Sequence, residues 1–151
     1  MNQELVLVLG RLCSGKGTYC ASYVERDFHH IATSDVVKSV SGAFTRSDLQ
    51  NTKSLDVKIA DALIALANQY ERVVIDGIRQ SSIIRAIEKE IPHVQLVWLE
   101  ADTTIRKQRF EQRKDRKDNI TFEQAEQGDD NLGLSQVESD YKSKCKIIHN
   151  G

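Results

Sequence analysis

A glycine-rich loop near the start of the chain carries the residues whose types and spacing say most about chemistry. Residues 10–18 read GRLCSGKGT, and Gly10, Gly15 and Lys16 fit the spacing G-x-x-x-x-G-K. Glycines let a loop curl so that successive main-chain N–H groups face one anion, and a lysine adds a mobile positive charge. The loop therefore predicts binding of a polyphosphate chain, rather than only a turn that caps the following helix.

Three further polar clusters follow hydrophobic runs of strand length. TSD at 33–35 follows HHIA, DGIR at 76–79 follows RVVI, and an arginine-rich helical segment from 103 onward follows VQLVWLE. The run ELVLVLG at 4–10 leads into the glycine-rich loop, and a fifth such run, KIIH, lies close to the last residue. Hydrophobic runs that alternate with helical patterns indicate βαβ units and a parallel sheet. Ligands bind beyond the carboxyl ends of such strands, so we expect these clusters and the loop to share one edge.

Length and composition limit the class of protein. A chain of 151 residues with 40% hydrophobic and 28% charged residues is typical of one globular domain. The net charge of -1 gives no general attraction to nucleic acid. Three cysteines without CxxC spacing favour reduced thiols, the four histidines show no metal-binding spacing, and no run is apolar enough to span a membrane. The first ten residues lack the basic region of a signal peptide, so we expect a cytoplasmic protein.

These motifs together resemble the nucleoside monophosphate kinases, adenylate kinase in particular. GRLCSGKGT is similar to the phosphate loop of that family and HIATSDVVK to its acceptor segment. DGIR is similar to its Asp-Gly-x-(Pro)-Arg segment, here without the proline, and IRKQRFEQR to its lid-entry helix. A closer resemblance is to small predicted archaeal and phage kinases related to dephospho-CoA kinase. The resemblance implies one domain over residues 1–151. Its fold would be the three-layer α/β/α P-loop NTPase fold with a five-stranded parallel sheet and a short lid at about 114–132.

The resemblance also implies a reaction and a set of site residues. ATP with Mg²⁺ would donate its γ-phosphate to a nucleoside or deoxynucleoside monophosphate. The implied catalytic residues are Lys16, Asp35, Arg109 and Arg113. The implied ATP-binding residues are Gly10, Ser14, Gly15, Lys16, Gly17, Thr18 and Arg109. The implied acceptor-binding residues are Thr33, Asp35, Lys38, Arg46 and Arg79. Thr18 and Asp76 would serve the metal ion, Asp76 through water.

Several of these residues also have simpler interpretations. Asp35 is the expected base if the acceptor is a hydroxyl, and otherwise an N-cap of the helix beginning VVKSV. Asp76 serves the metal ion or forms the DG turn, and Arg79 clamps the acceptor phosphate or begins a surface helix. We expect Trp98 in the core, Asp102 as the N-cap of the arginine-rich helix, and a capping box in TFEQ at 121–124.

The arginines of the arginine-rich helix either bind an anionic ligand or face solvent. Arg106, Arg109, Arg113 and Arg116 step by three, four and three, which places them on one helical face. Like charges in such a row repel unless an anion lies between them. The alternatives are a solvated basic face, or contact with nucleic-acid phosphates, which the near-neutral charge and lack of interleaved aromatic residues disfavour.

Two other functions remain open beside the nucleotide kinase. One is a kinase of the dephospho-CoA type that acts on a hydroxyl. The other is a nucleotide-sensing or assembly ATPase, because the lid is short and FEQAEQGDDN offers no match to the later lid arginine of the family. Small-molecule binding is expected in both kinase cases, without a membrane partner, and the sequence leaves the oligomeric state open.

Overall fold

The computed structural model describes residues 3–41, 52–113 and 120–151. Arg46, Arg116 and the first part of the predicted lid, residues 114–119, lie outside these ranges. The strands are β1 Glu4–Gly10, β2 His29–Ala32, β3 Arg72–Asp76, β4 Val94–Glu100 and β5 Lys146–His149. The helices are α1 Lys16–Val24, α2 Thr33–Ser41, α3 Thr52–Ala67, α4 Ser81–Glu90, α5 Thr103–Glu111, α6 Phe122–Leu132 and α7 Leu134–Tyr141, followed by the 3₁₀-helix Lys142–Lys144.

The five strands form one parallel sheet in the order β2-β3-β1-β4-β5. Asp76 pairs in register with Val8 of β1 and with Ala32 of β2. Gly10, at the end of β1, pairs with Leu99 near the end of β4. The carboxyl ends of the strands therefore lie side by side, and the predicted three-layer fold with five parallel strands is confirmed.

Both faces of β1 are buried, which explains its unbroken run of apolar residues. Leu5, Leu7 and Leu9 face a core cluster with residues of α3, α4 and α7, whereas Val6 and Val8 face α1. Trp98 belongs to the larger cluster and is 1% exposed, so its predicted place in the core is confirmed. Helices of the described ranges are all too short or too polar to cross a membrane.

Helix starts follow the sequence signals in part. Thr121 accepts a bond from the main-chain N–H of Gln124, whose side chain accepts from the N–H of Thr121, so the predicted capping box is confirmed. Asp102 occupies the N-cap position of α5, but its side chain makes no capping hydrogen bond. Helix α2 already begins at Thr33, so the alternative role of Asp35 as its N-cap is wrong. Asp35 instead lies in the first turn, where the helix dipole favours a negative charge.

Candidate active site

The glycine-rich loop curls tightly between β1 and α1. Gly15 precedes the first residue of α1 with φ 92°, and Cys13 has φ 62°, so both have left-handed backbone conformations. A Cβ added at Gly10 would lie 2.9 Å from the carbonyl oxygen of Leu99 and 2.8 Å from Ser14 Oγ. A side chain at Gly10 would therefore push the loop away from β4, which explains why glycine is needed there.

Lys16 bends back over the loop. Its Nζ donates to the carbonyl oxygens of Gly10 and Arg11, both at 3.1 Å. The pKa of Lys16 is lowered to about 8, chiefly by burial and also by the charge of Arg79, whereas the charges of Asp76 and Asp129 act in the opposite direction. The hydrogen-bond partners of Lys16 Nζ are neutral carbonyl oxygens. A bound anion would therefore stabilise the positive charge of this lysine.

Ser14 offers a second sign of a missing partner. The residue is fully buried, and its Oγ has no hydrogen-bond partner among the described residues. Buried polar groups are almost always hydrogen-bonded, because an unpaired one costs about 1–3 kcal/mol. A buried hydroxyl in the curled loop, two residues before Lys16, is suited to the oxygens of a phosphate chain.

The C-terminal residues hold the loop in place. Asn150 Nδ2 donates to the carbonyl oxygen of Ser14 at 2.7 Å, and the main-chain N–H of Asn150 donates to Glu100 at 2.7 Å. Arg109 donates from Nη1 to the carbonyl oxygen of Cys13 at 3.0 Å and from Nη2 to that of Asn150 at 2.6 Å. Arg109 thus lies against the loop, where the sequence predicted an ATP contact.

The predicted row of arginines divides into different environments. Arg106 is 4% exposed and donates to the carbonyl oxygens of Leu12 and Ala101, both at 3.2 Å. Its Nη1 also lies 2.5 Å from Glu126 Oε1, so Arg106 joins the loop to α6. Arg113 follows α5 and is exposed. Of the described arginines in the row, Arg106 and Arg109 contact main-chain oxygens of the loop.

The acceptor side is formed by the residues after β2 and β3. Thr33 is buried and donates from Oγ1 to the carbonyl oxygen of Asp76 at 2.6 Å, which ties the ends of the two strands together. Asp35 and Lys38 are exposed on α2. Arg79 Nε lies 3.0 Å from Asp129 Oδ1 of α6, so the predicted acceptor arginine is paired with an acid.

Helix α6 supplies acidic side chains that pair with arginines of the site. From the sequence, this segment was notable only because it lacks the later lid arginine of the family. Besides Asp129, it places Asp130 Oδ1 3.0 Å from Arg11 Nη1, and Glu138 of α7 binds the same guanidinium at 3.1 Å. Hydrogen bonds and the charges of these acids raise the pKa of Arg11 despite its burial. The acids of FEQAEQGDDN were the available signal, but Asp129 and Asp130 lie 50 and 119 residues from their partners Arg79 and Arg11 in the chain.

Asp76 has close neighbours that the sequence did not connect with it. Its Oδ2 lies 2.8 Å from His30 Nε2, and the thiol of Cys20 lies beside the same carboxylate. Burial raises the pKa of the Cys20 thiol to about 12, and the charge and hydrogen bond of Asp76 act in the same direction. Thr18, the other predicted metal residue, is exposed on the first turn of α1.

A family model described as an AAA domain matches residues 6–131, which include the loop, most of β1 and the whole of β2, β3 and β4. The chain belongs to this AAA domain family. No curated protein sequence matches this AAA domain significantly.

Solved structures show which fold this AAA domain shares. One is a sugar kinase from Janibacter sp. HTCC2649, with 15% identity over 97% of this chain and 84% of that chain, and a TM-score of 0.63. A gluconokinase from Sinorhizobium meliloti 1021 has 13% identity over 99% and 84%, with a TM-score of 0.66. A shikimate kinase from Bacteroides thetaiotaomicron has 13% identity over 97% and 86%, with a TM-score of 0.65. The likeness confirms a P-loop kinase fold, whereas the finer resemblance to adenylate kinase stays a prediction.

Proposed function

We propose that this AAA domain is an ATP-dependent phosphotransferase that transfers the γ-phosphate to a nucleoside or deoxynucleoside monophosphate. The observation that carries the proposal is the curled loop, in which Lys16 faces carbonyl oxygens and the buried Ser14 hydroxyl lacks a partner among the described residues. Phosphoryl transfer requires positioning and neutralisation of charge more than covalent chemistry, and these groups are suited to both.

The donor end is assigned to the loop and its supports. Main-chain N–H groups between Gly10 and Thr18, with Lys16 and Ser14, would hold the phosphates of ATP. Arg109 lies against the same loop and would neutralise charge on the transferred group. Asp76 and Thr18 offer the oxygen ligands that Mg²⁺ prefers, and the ion would neutralise charge on the phosphates.

The acceptor end is assigned to the ends of β2 and β3. Lys38 and Arg79 carry positive charge at this edge, and Arg46 is the third proposed cation. The guanidinium of Arg79 is held by Asp129, so binding of an acceptor phosphate would exchange one anion for another. Thr33 keeps β2 and β3 together beneath the acceptor.

A hydroxyl acceptor is the second candidate, and a specific observation favours it. The similar structures named above are a sugar kinase, a gluconokinase and a shikimate kinase, whose names refer to acceptors with hydroxyl groups. A hydroxyl must lose its proton during transfer, which requires a base. Asp35 is an exposed carboxylate in the first turn after β2 and is the proposed base in that case.

An acceptor panel tests both candidates. The full chain is given ATP and Mg²⁺ with each nucleoside and deoxynucleoside monophosphate, dephospho-CoA, gluconate and shikimate, and ADP and phosphorylated products are measured. Diphosphate product from one monophosphate supports the proposal, and a phosphorylated hydroxyl supports the second candidate. Loss of ATP that no acceptor accelerates contradicts both and indicates an ATPase.

The variant Asp35→Asn separates the two acceptor classes further. Since a phosphate acceptor is already ionised at neutral pH, the variant should keep most of its kcat with a monophosphate. With a hydroxyl acceptor, loss of the base should lower kcat by about 100-fold or more while KM changes little. Ser34→Ala, at the neighbouring exposed position, is the matched control.

A further inference from the structure

Three potential metal ligands meet between α1 and the sheet, where sequence spacing did not indicate a site. Cys20 comes from α1, His30 from β2 and Asp76 from the end of β3. The Cys20 sulfur, one His30 ring nitrogen and one Asp76 carboxylate oxygen all lie within 4.8 Å of one another. Thiolate, imidazole and carboxylate are the three ligand types that bind Zn²⁺ in proteins.

The distance between His30 and Asp76 suits a coordinated ion after a small adjustment, and the Cys20 sulfur lies within 4.8 Å of both ligand atoms. Zn²⁺ lies about 2.0–2.3 Å from nitrogen, oxygen and sulfur ligands, so tetrahedral ligands are separated by about 3.3–3.8 Å. His30 Nε2 and Asp76 Oδ2 are 2.8 Å apart, because a shared proton joins them in the protein without a metal ion. Replacing that proton by an ion would move the two atoms apart by about half an ångström.

The thiol of Cys20 favours a soft metal ion, and the partly exposed side chains of His30 and Asp76 give the ion access from solvent. Cys20 is fully buried, whereas the side chains of His30 and Asp76 are 31% and 16% exposed. An ion can therefore approach from the imidazole side while the sulfur remains shielded. A thiolate ligand selects against Mg²⁺, which prefers oxygen ligands and retains its water.

We propose that Cys20 Sγ, His30 Nε2 and the Asp76 carboxylate form a binding site for a borderline-soft divalent transition-metal ion such as Zn²⁺. The three ligands leave a fourth position, which water would fill. Binding releases the Cys20 thiol proton to solvent, the neutral His30 ring carries its proton on Nδ1 instead of Nε2, and no oxidation state changes. The site shares Asp76 with the proposed magnesium role, but Cys20 and His30 have no part in the proposed phosphotransferase function. Its test needs neither ATP nor an acceptor, so its failure can be distinguished from failure of that function.

Co²⁺ is the probe, since a cobalt–thiolate bond produces an absorption band in the near ultraviolet. The full chain, reduced and freed of metal, is titrated with Co²⁺ and then with Zn²⁺. We expect a saturable thiolate-to-cobalt band with one ion per chain, which Zn²⁺ abolishes because it binds such sites more tightly. The absence of a saturable band in the wild-type protein would overturn the proposal.

Variants assign the band to its ligands. Cys20→Ser should abolish it, whereas Cys145→Ser, the same change at a half-buried thiol elsewhere, should leave it unchanged. If Cys20→Ser fails to fold by circular dichroism, His30→Ala replaces it, because the partly exposed ring contributes less to the core. His30→Ala should weaken Co²⁺ binding by at least about tenfold. A band that persists in Cys20→Ser, or unchanged affinity in His30→Ala, would overturn the proposal.

Discussion

Replacing Lys16 by methionine is expected to stabilise the protein without nucleotide while removing ATP binding. Lys16 is partly buried, and its pKa falls from 10.5 to about 8, chiefly because burial disfavours the charged ammonium. Methionine has a similar length and no charge, so it avoids this desolvation. The phosphate loop would therefore lose its cation and the folded protein would gain stability.

The expected gain in folding stability is the relieved desolvation of the ammonium minus the hydrogen bonds that methionine cannot form. Each pKa unit corresponds to about 1.4 kcal/mol, so the lowered pKa represents about 3 kcal/mol of unfavourable free energy while the lysine is charged. Methionine also loses the two hydrogen bonds to the carbonyl oxygens of Gly10 and Arg11, each contributing about 1 kcal/mol. The expected net stabilisation is about 1 kcal/mol, which raises Tm by about 2–4 °C.

The pH dependence identifies the cause. Below the folded-state pKa of about 8, Lys16 is charged in both states, so the destabilisation is fully present at pH 7. Between about 8 and 10.5 the folded state loses this proton first, the unfolded state binds more protons, and wild-type stability rises with pH. Since methionine does not titrate, the stability advantage of Lys16→Met should shrink between pH 7 and pH 10.

Urea unfolding at pH 7 and pH 10 measures this difference, and calorimetry at pH 7 measures ATP binding. Lys89→Met, at an exposed position in the last turn of α4, is the matched control. It should retain ATP binding and show no comparable change of stability between the two pH values. A Lys16→Met protein less stable than wild type at pH 7, or a stability difference independent of pH, would refute the reasoning.

Three other substitutions test the supports of the site. Gly15→Ala should weaken ATP binding, because alanine is strained at the φ of 92° and its Cβ would clash with Asn150 Nδ2. Gly17→Ala, where the added Cβ meets open space, is the control in the same calorimetric titration. Asn150→Ala removes the bond to the loop and should raise the Kd for ATP by about fivefold, equivalent to about 1 kcal/mol; an unchanged Kd would exclude this support. Arg106→Met leaves Glu126 without its buried partner and should destabilise the fold by about 3 kcal/mol in urea unfolding. Adding Glu126→Gln to that variant should restore part of the loss, and no recovery would count against the pairing.

The phosphate loop and the sheet could be predicted because their signals are local. Gly10, Gly15 and Lys16 lie within seven residues, and a loop of that spacing between a strand and a helix has few conformations. The apolar run of β1 likewise indicated burial on both faces, since a parallel sheet covered by helices requires it. The capping box at residues 121–124 could be predicted because its hydrogen bonds join residues that are close in the sequence.

The partners of the arginines could not be predicted from local sequence signals. Helical spacing placed Arg106, Arg109 and Arg113 on one face, but spacing could not assign their partners. The fold buried Arg106 against Glu126, set Arg109 on the carbonyl oxygen of Cys13, and left Arg113 exposed. These partners lie up to 96 residues away in the chain, so their meeting depends on packing of α5 and α6 around the loop.

By itself, the sequence determined that the chain forms a parallel α/β sheet with a tightly curled glycine-rich loop after β1, because glycine conformation, strand burial and helix caps act over a few neighbouring residues. Only the tertiary structure decided the environments of Arg79, Asp76 and His30. Asp129 reaches Arg79 from α6, and His30 and Cys20 reach Asp76 from β2 and α1. Electrostatic and hydrogen-bonding partners are set by distances in space, and the folding of separate elements against one sheet creates those distances.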